Sequence, residues 1–264
     1  MSHALRQSAR IRAIAWRDLT ALRPREQLKE LLLPLPFLLA ARTAFAFDVP
    51  LVPWLASAYF FLAGLRVVHD AFHDNLALPR PASHALLGAL SAVMLGSMHA
   101  VRITHLQHHR DCLGPDDVEG QTARRSALGA IGAGLAFPFR LHHAAWRRAS
   151  GADRLFIAGE LLLTAALLVL AAAQVSAQVT HHVVLMVIAQ ALTGFFAVWT
   201  VHHDVDEERQ VARTLRHRVK SALALGMFFH LEHHLFPRVP TCHLPQLAER
   251  LDRAAPELSK VTVY

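Results

Sequence analysis

The sequence has few charged residues and only two cysteines, and these shortages exclude several classes of protein. Charged residues make up 18% of the 264 residues and hydrophobic residues 53%, so the chain is more apolar than an average soluble domain. Cys112 and Cys242 are too few for a disulfide framework, and no C-x-x-C pair is present. The composition therefore favours a membrane protein whose cysteines face a reducing compartment.

Several catalytic and nucleotide-binding motifs are also missing. The sequence has no G-x-S-x-G, no glycine-rich phosphate loop, no H-E-x-x-H and no flavin or haem attachment motif. The net charge of +7 is not carried by basic runs interleaved with aromatic residues, so we expect lipid headgroups rather than nucleic acid as its partner. Any redox chemistry would then require electrons from another protein.

Long apolar segments predict the architecture. About 20 apolar residues cross the hydrocarbon layer of a bilayer, and four segments come close to this length: 31–47, 51–68, 155–175 and 182–201. We therefore predict an all-α, polytopic membrane protein with four transmembrane helices in two hairpins. Two further apolar stretches are predicted to be interfacial helices, and the first of them alternatively dips into the bilayer: 82–101 and 126–139.

The placement of Lys and Arg predicts the orientation in the membrane. The turns FDVP and VSAQVT, one inside each hairpin, contain neither residue. The arm 1–30, the stretch 102–154 and the tail 202–264 hold nearly all of the basic residues. By the positive-inside rule, both termini and the central loop are cytoplasmic. We expect all 264 residues to form one multi-pass domain, with a basic amphipathic arm on the membrane surface and a histidine-rich cytoplasmic cap.

Three histidine motifs recur among the 19 histidines: HDAFH at 69–73, HLQHH at 105–109 and HLEHH at 230–234. Residues three and four apart share one face of a helix, so each motif presents two or three imidazoles to one region. The predicted topology places all three motifs, and the pair at 202–203, at one membrane face. Since one site takes about four ligands, these histidines predict two metal ions. Imidazole suits Zn, Cu, Fe and Ni, so the ligand type leaves the metal open.

The eight motif histidines are candidate ligands: His69, His73, His105, His108, His109, His230, His233 and His234. One member of the pair at 202–203 is a ninth candidate. Isolated histidines are more often solvated polar residues, which we expect of the others: His3, His84, His99, His142, His143, His181, His182, His217 and His243. Acidic neighbours of the motifs either accept the outer N–H of a ligand imidazole or are solvated loop charges: Asp70, Asp74, Asp111, Asp204 and Glu232.

In their order and spacing, the three motifs resemble the histidine boxes of membrane fatty acid desaturases, a family that includes related carotenoid ketolases and hydroxylases. The resemblance extends from the second predicted span to the segment LFPRVPTCHLPQL after the third motif. It implies two iron ions in a non-haem di-iron centre, O2 as co-substrate, and an external electron donor of the ferredoxin or cytochrome b5 type. It also implies that the eight motif histidines bind iron, with a further ligand at the end of the last span, for which we prefer His202 to His203.

The resemblance leaves three functions open. The leading interpretation is an O2-dependent desaturase that introduces a double bond into a fatty acyl or other lipid-like chain. A hydroxylase or ketolase of a lipid or carotenoid is the alternative, because the boxes are shared and the chain length is nearer that of ketolases. A membrane metal-handling protein would need polar residues within the spans, where few are seen. Aromatic residues near the site either line a substrate tunnel or face lipid or neighbouring helices: Phe60, Phe61, Phe195, Phe196 and Trp199.

Overall fold

The computed structural model describes residues 8–205, 211–260 and 263, and within them the regular structure is helical, without a β-strand. This confirms the all-α prediction. The α-helices are α1 (Ala9–Arg12), α2 (Pro24–Leu32), α3 (Leu35–Ala46), α4 (Val52–Phe72), α5 (Arg80–Met94), α6 (Met98–Arg110), α7 (Ala127–Gly132), α8 (Phe137–Arg148), α9 (Gly151–Ala172), α10 (Ala177–His202, with a π-helical turn at Gly194–Trp199), α11 (Arg218–Leu223), α12 (His230–Leu235) and α13 (Leu244–Ala254).

Three of the described helices are long and apolar enough to cross a membrane: α4, α9 and α10. They correspond to three of the four predicted spans. Helices α5 and α6 pass the same test only as a pair and are bent by 107° at the break between them, as in a broken span or a re-entrant loop. The bend falls within the stretch 82–101, for which the sequence predicts an interfacial or dipping helix.

The predicted first span, residues 31–47, is not among these candidates. Two residues, including Pro34, separate α2 from α3, so the segment is not one continuous helix. Helix α3 has 12 residues, which corresponds to about 18 Å and is shorter than the ~30 Å hydrocarbon layer. Its Arg42 donates a hydrogen bond of 2.7 Å to the carbonyl of Gln178 near the start of α10. The segment therefore forms a short helix held against the candidate spanning helix α10.

Large apolar side chains are exposed on several helices, as expected for surfaces that meet lipid. Leu155 and Leu162 lie exposed on α9. The stretch 126–139 forms α7 and the start of α8, where Leu128 and Phe139 are 82% and 78% exposed. Contiguous apolar surface of this kind is rare on soluble monomers. This exposure supports the prediction that the stretch lies at the membrane interface.

A second hydrophobic core lies away from the spanning helices. Leu231 on α12 and Leu247 on α13 pack there with three residues of the N-terminal arm: Ile11, Ile14 and Leu19. Burial of this kind stabilises a fold by roughly 25 cal/mol per Å² of apolar surface. The apolar face of the described part of the arm thus packs on the third histidine motif and α13, whereas residues 1–7 lie outside the described residues.

A buried carboxylate secures the bend between α5 and α6. Glu160 of α9 accepts a hydrogen bond from the Ser97 hydroxyl at 2.5 Å, and His99 Nδ1 lies 2.6 Å from its other oxygen. Nδ1 of His84 lies 2.8 Å from the other ring nitrogen of His99. His99 is only 2% exposed, so the expectation that it is a solvated residue is wrong. Its burial reflects a contact across 61 residues of sequence.

Replacing Glu160 with leucine is expected to lower the free energy of unfolding in detergent by about 1–3 kcal/mol. The substitution leaves the buried hydroxyl of Ser97 and the ring of His99 without their acceptor. Chemical denaturation followed by circular dichroism measures the effect. Glu160→Gln keeps an acceptor and should lose less; equal stability of Glu160→Leu and the unchanged protein would contradict the role of this carboxylate.

Candidate metal centre

Four helices bring the predicted histidines together at one end of the candidate spanning helices. The last turn of α4 and its C-cap residue His73 carry the first motif, α6 carries the second and α12 the third, while α10 ends at His202. Because the motif residues are spaced three or four apart, their rings project from one face of each helix. The structure collects all nine preferred candidates: His69, His73, His105, His108, His109, His202, His230, His233 and His234.

Five imidazoles form what we term the first group, in which one nitrogen of each ring lies within 4.8 Å of the others: His69, His73, His105, His109 and His233. The Nε2 atom of His105 lies 3.1 Å from that of His73 and 3.2 Å from that of His109. The Nε2 atoms of His109 and His233 are 2.9 Å apart. All three motifs therefore contribute nitrogens to one point.

The other four imidazoles form the second group: His108, His202, His230 and His234. Donor atoms of three of them and of Cys112 lie within 4.8 Å of one another. Nε2 of His230 joins them, 2.9 Å from Nε2 of His202 and 3.1 Å from that of His234. The two groups are adjacent, because the rings of His109 and His234 stack with centroids 4.3 Å apart.

The outer hydrogen bonds of the second group show that it fits a cation. Nδ1 of His202 donates to the carbonyl of Val211 at 2.8 Å, and Nδ1 of His108 lies 2.7 Å from a carboxylate oxygen of Asp117. If both rings were neutral, their Nε2 atoms would be two acceptors only 3.1 Å apart, so the pair needs a positive charge between them. Either a proton on the pair or a bound metal ion supplies that charge.

Burial and missing hydrogen bonds indicate that other imidazoles of the centre also suit metal binding. Both ring nitrogens of His69 are shielded from solvent and have no hydrogen-bond partner among the described residues. Burial in the surroundings of the third motif holds the pKa of His230, His233 and His234 well below the usual 6.5. These imidazoles are therefore neutral at pH 7, which is the form that binds metal.

The carboxylates nearest the imidazoles are two that the sequence analysis did not select. Asp117 lies against His108, and an oxygen of Glu119 lies 3.3 Å from Nδ1 of His105. Burial alone would raise the pKa of Asp117, but hydrogen bonds from His108 and from the backbone N–H groups of Gly120 and Leu113 lower it below 3.8. The only sequence signal for Asp117 and Glu119 is the acidic segment PDDVEG, which begins at Pro115, after the second motif has ended at His109.

The five acidic residues that adjoin the motifs in sequence have other roles. Asp70 accepts hydrogen bonds from the backbone N–H and hydroxyl of Thr241, at 3.1 and 3.0 Å. Glu232 accepts hydrogen bonds from Thr214 at 2.6 Å and Arg216 at 2.8 Å. Glu232 thereby holds the third motif in place, and Asp70 holds the loop that follows it. Within the described part of the chain, none of the five accepts a hydrogen bond from a motif imidazole: Asp70, Asp74, Asp111, Asp204 and Glu232. The first of the two alternatives is therefore wrong, whereas Asp74 and Asp204 are exposed, as the second alternative expects.

Replacing Asp117 with asparagine is expected to weaken metal binding by roughly 10–100-fold, the usual cost of losing an outer carboxylate partner of a ligand histidine. The substitution keeps the shape but removes the charge that orients His108. Metal titration of depleted protein measures the affinity. Asp116→Asn is the matched control, because Asp116 is next to Asp117 in sequence and its side chain is 77% exposed. Similar metal affinities for the two variants would rule out the proposed role of Asp117.

An apolar cavity opens onto the imidazoles. Its inner part has a volume of about 130 Å³ and is bounded on one side by His69, His105, His108 and His230. Its outer part, of about 480 Å³, continues between α4 and α10 as far as Ala58 and borders α11. The two parts share wall residues and so adjoin: Leu62, Leu65, Thr193, Phe196, Ala197 and Phe228. Ala58 precedes His69 by eleven residues on α4, which corresponds to about 16 Å along the helix.

The π-helical turn of α10 shapes this cavity. Turns of this type occur often at functional sites, and this one places Phe196 and Ala197 in the cavity wall. Gly194 begins the turn where a Cβ atom would lie 3.1 Å from the ring of Phe137. Beyond the turn, α10 delivers His202 to the second group. His203 instead stacks on Trp199, with ring centroids 3.8 Å apart.

The predicted aromatic residues divide between the cavity and other surroundings. Phe61 and Phe196 line the cavity. Phe60 is buried in the core between the spanning helices. Phe195 stacks on Trp199, whose indole N–H donates to the carbonyl of Arg125 at 2.8 Å. Some of these residues therefore line a cavity and others pack against neighbouring groups, while the identification of the cavity as a substrate tunnel stays a prediction.

Comparison with known proteins agrees with this geometry. The family model described as fatty acid desaturase matches residues 48–263 and so includes all three motifs and the end of α10. A comparison with curated proteins gave no match. The match covers most of the chain, and we conclude that the protein belongs to the fatty acid desaturase family.

Proposed function

We propose that the protein is an O2-dependent, di-iron membrane oxidoreductase that introduces a double bond into a fatty acyl or other lipid-like chain. Family membership implies a lipid-modifying oxidoreductase, and the histidine groups are compatible with metal binding. The observation that carries the proposal is the position of both imidazole groups at the inner end of an apolar cavity. Few polar groups other than these face that end of the cavity.

The residues present fit two iron ions, one in each group. The first group offers five imidazole nitrogens and the second four, all on rings that are buried or nearly so. Imidazole also suits zinc, copper and nickel, and family membership is what selects iron. Iron held there supplies the activation of O2 that oxidation of an unactivated C–H bond requires. Asp117 and Val211 orient His108 and His202 through their outer nitrogens.

The cavity walls position the substrate and exclude water. Apolar side chains of α4 and α10 accept a hydrocarbon chain without leaving polar groups unsatisfied. A chain that extends from the outer part to the inner part brings its methylene groups to His69 and His230. Holding the reacting carbons at a fixed place is worth several orders of magnitude in rate. The same walls keep water from the oxidising site.

The reaction requires two electrons from outside the chain. Desaturation converts –CH2–CH2– with O2, two electrons and two protons into –CH=CH– and two molecules of water. The sequence carries no flavin or haem attachment motif, so we propose a donor protein of the ferredoxin or cytochrome b5 type. The positive-inside rule supports a cytoplasmic location for both termini and the imidazole groups, where such a donor has access.

Product analysis tests the proposal. The gene is expressed in a host that supplies suitable electron donors, and labelled acyl lipids and carotenoids are recovered beside those of an empty-vector culture. A product that has lost two hydrogens is expected. Gain of one oxygen would instead select the alternative, a hydroxylase or ketolase, because the same centre supports either outcome. Unchanged substrates of both kinds, with iron bound to the protein, would contradict an oxidative function.

A further inference from the structure

Cys112 lies within the second group, although the histidine boxes do not include it. It follows His108 by four residues, just past the end of α6, and is 8% exposed. Its Sγ atom is 4.0 Å from Nε2 of His108. The sulfur also lies within 4.8 Å of donor nitrogens on His202 and His234. Four donor atoms from three separate parts of the chain therefore surround one point.

The distances permit Cys112 and His108 to bind one metal ion. The donor atoms of His202 and His234 lie within 4.8 Å of both, close to the limit for two ligands of one ion. Two ligands of one ion are no farther apart than the sum of their bond lengths, about 4.4 Å for a bond of ~2.3 Å to sulfur and one of ~2.1 Å to nitrogen. The 4.0 Å between Cys112 Sγ and His108 Nε2 is below this limit. It corresponds to an angle of roughly 130° at the metal, so neither side chain has to move far.

An independent observation indicates that a positive charge belongs at this point. The Nε2 atoms of His108 and His202 lie 3.1 Å apart while their outer nitrogens are engaged by Asp117 and Val211, so a proton or a metal ion must lie between them. We propose that Cys112 is a thiolate ligand of the metal ion held by the second group, His108, His202, His230 and His234. On binding, the S–H bond breaks, a metal–sulfur bond forms and the proton leaves to solvent, with no change in oxidation state.

The assignment makes the two metal ions inequivalent. The first group offers imidazoles, which are neutral ligands, whereas the second adds a soft, negatively charged sulfur. The inference rests on the metal centre of the proposed function but is independent of the substrate. Cys242 provides a contrast within the same chain. It lines a different, polar cavity beside Arg66 and Arg216, and burial raises the pKa of its thiol to about 12.

Cobalt substitution tests the sulfur ligand. Metal-depleted protein is reloaded with Co²⁺, its cobalt content is measured, and the near-ultraviolet thiolate-to-cobalt charge-transfer absorption is recorded. The band is expected in the unchanged protein and in the matched control Cys242→Ser, and it should be lost in Cys112→Ser. A protein that holds two cobalt ions without this band, or a band that persists in Cys112→Ser, overturns the inference.

A second measurement needs no variant and so does not depend on how Cys112→Ser folds. X-ray absorption at the iron edge of the unchanged, iron-loaded protein should show a sulfur neighbour at about 2.3 Å. Two bound iron ions with only nitrogen and oxygen neighbours overturn the assignment of Cys112 and leave the proposed function intact. A protein that binds no metal overturns both.

Discussion

Replacing His109 with alanine is expected to remove metal from the first group and to reduce turnover by more than the roughly 100-fold that loss of an outer partner costs. The Nε2 atom of His109 lies 3.2 Å from that of His105 and 2.9 Å from that of His233, so it is central to the group. Its ring also stacks on His234, and the substitution therefore disturbs the second group as well.

Elemental analysis of the purified variant measures the metal, and product formation measures turnover. His143→Ala is the matched control, because His143 is an exposed histidine on α8 outside both groups. The control should keep its metal and its activity. If His109→Ala retained the metal content and turnover of the unchanged protein, the first group would not be a metal site.

Filling the cavity is expected to stop turnover without releasing metal. Ala197 lines both the inner and the outer part of the cavity, at the point where they adjoin. Ala197→Trp places an indole in the path of the hydrocarbon chain and displaces the reacting carbons from the imidazoles. Displacement by about 1 Å can cost 100-fold in rate, so we expect a loss of kcat/KM of at least about that size.

The control for Ala197→Trp is a variant with a tryptophan on a lipid-facing surface, outside the cavity. Ala166→Trp on the exposed face of α9 serves this purpose, since α9 is also a candidate spanning helix. Both variants should bind as much metal as the unchanged protein. Normal oxidation of long chains by Ala197→Trp would show that the substrate reaches the metals by another route.

Features that depend on local spacing could be predicted from the sequence. Histidines three and four apart predicted the imidazole-bearing faces of α6 and α12, and apolar length predicted the three candidate spanning helices α4, α9 and α10. The segment 31–47 is long and apolar enough to span a membrane, but it does not form one continuous helix. Its prolines interrupt the helix, and an average of hydropathy over the segment does not register that break.

Features that depend on long-range packing could not be predicted. His99 resembles an isolated polar histidine until α9 brings Glu160 to it. The acidic residues beside the motifs were one of two alternatives as partners of the imidazoles, but the segment after α6 brings Asp117 to His108 instead. Cys112 follows His108 by four residues, but its position beside His202 depends on where α10 ends, which the spacing does not show.

Anomalous diffraction at the iron edge, from crystals of protein purified with its metals, tests the central claim most directly. Two iron peaks are expected, one within the first group and one within the second, close to His69 and His202 respectively. Such a result would establish both the metal and its ligands. Peaks at the zinc or nickel edge instead would contradict the oxidative account and favour metal handling, and the absence of any peak among the imidazoles would refute a metal centre.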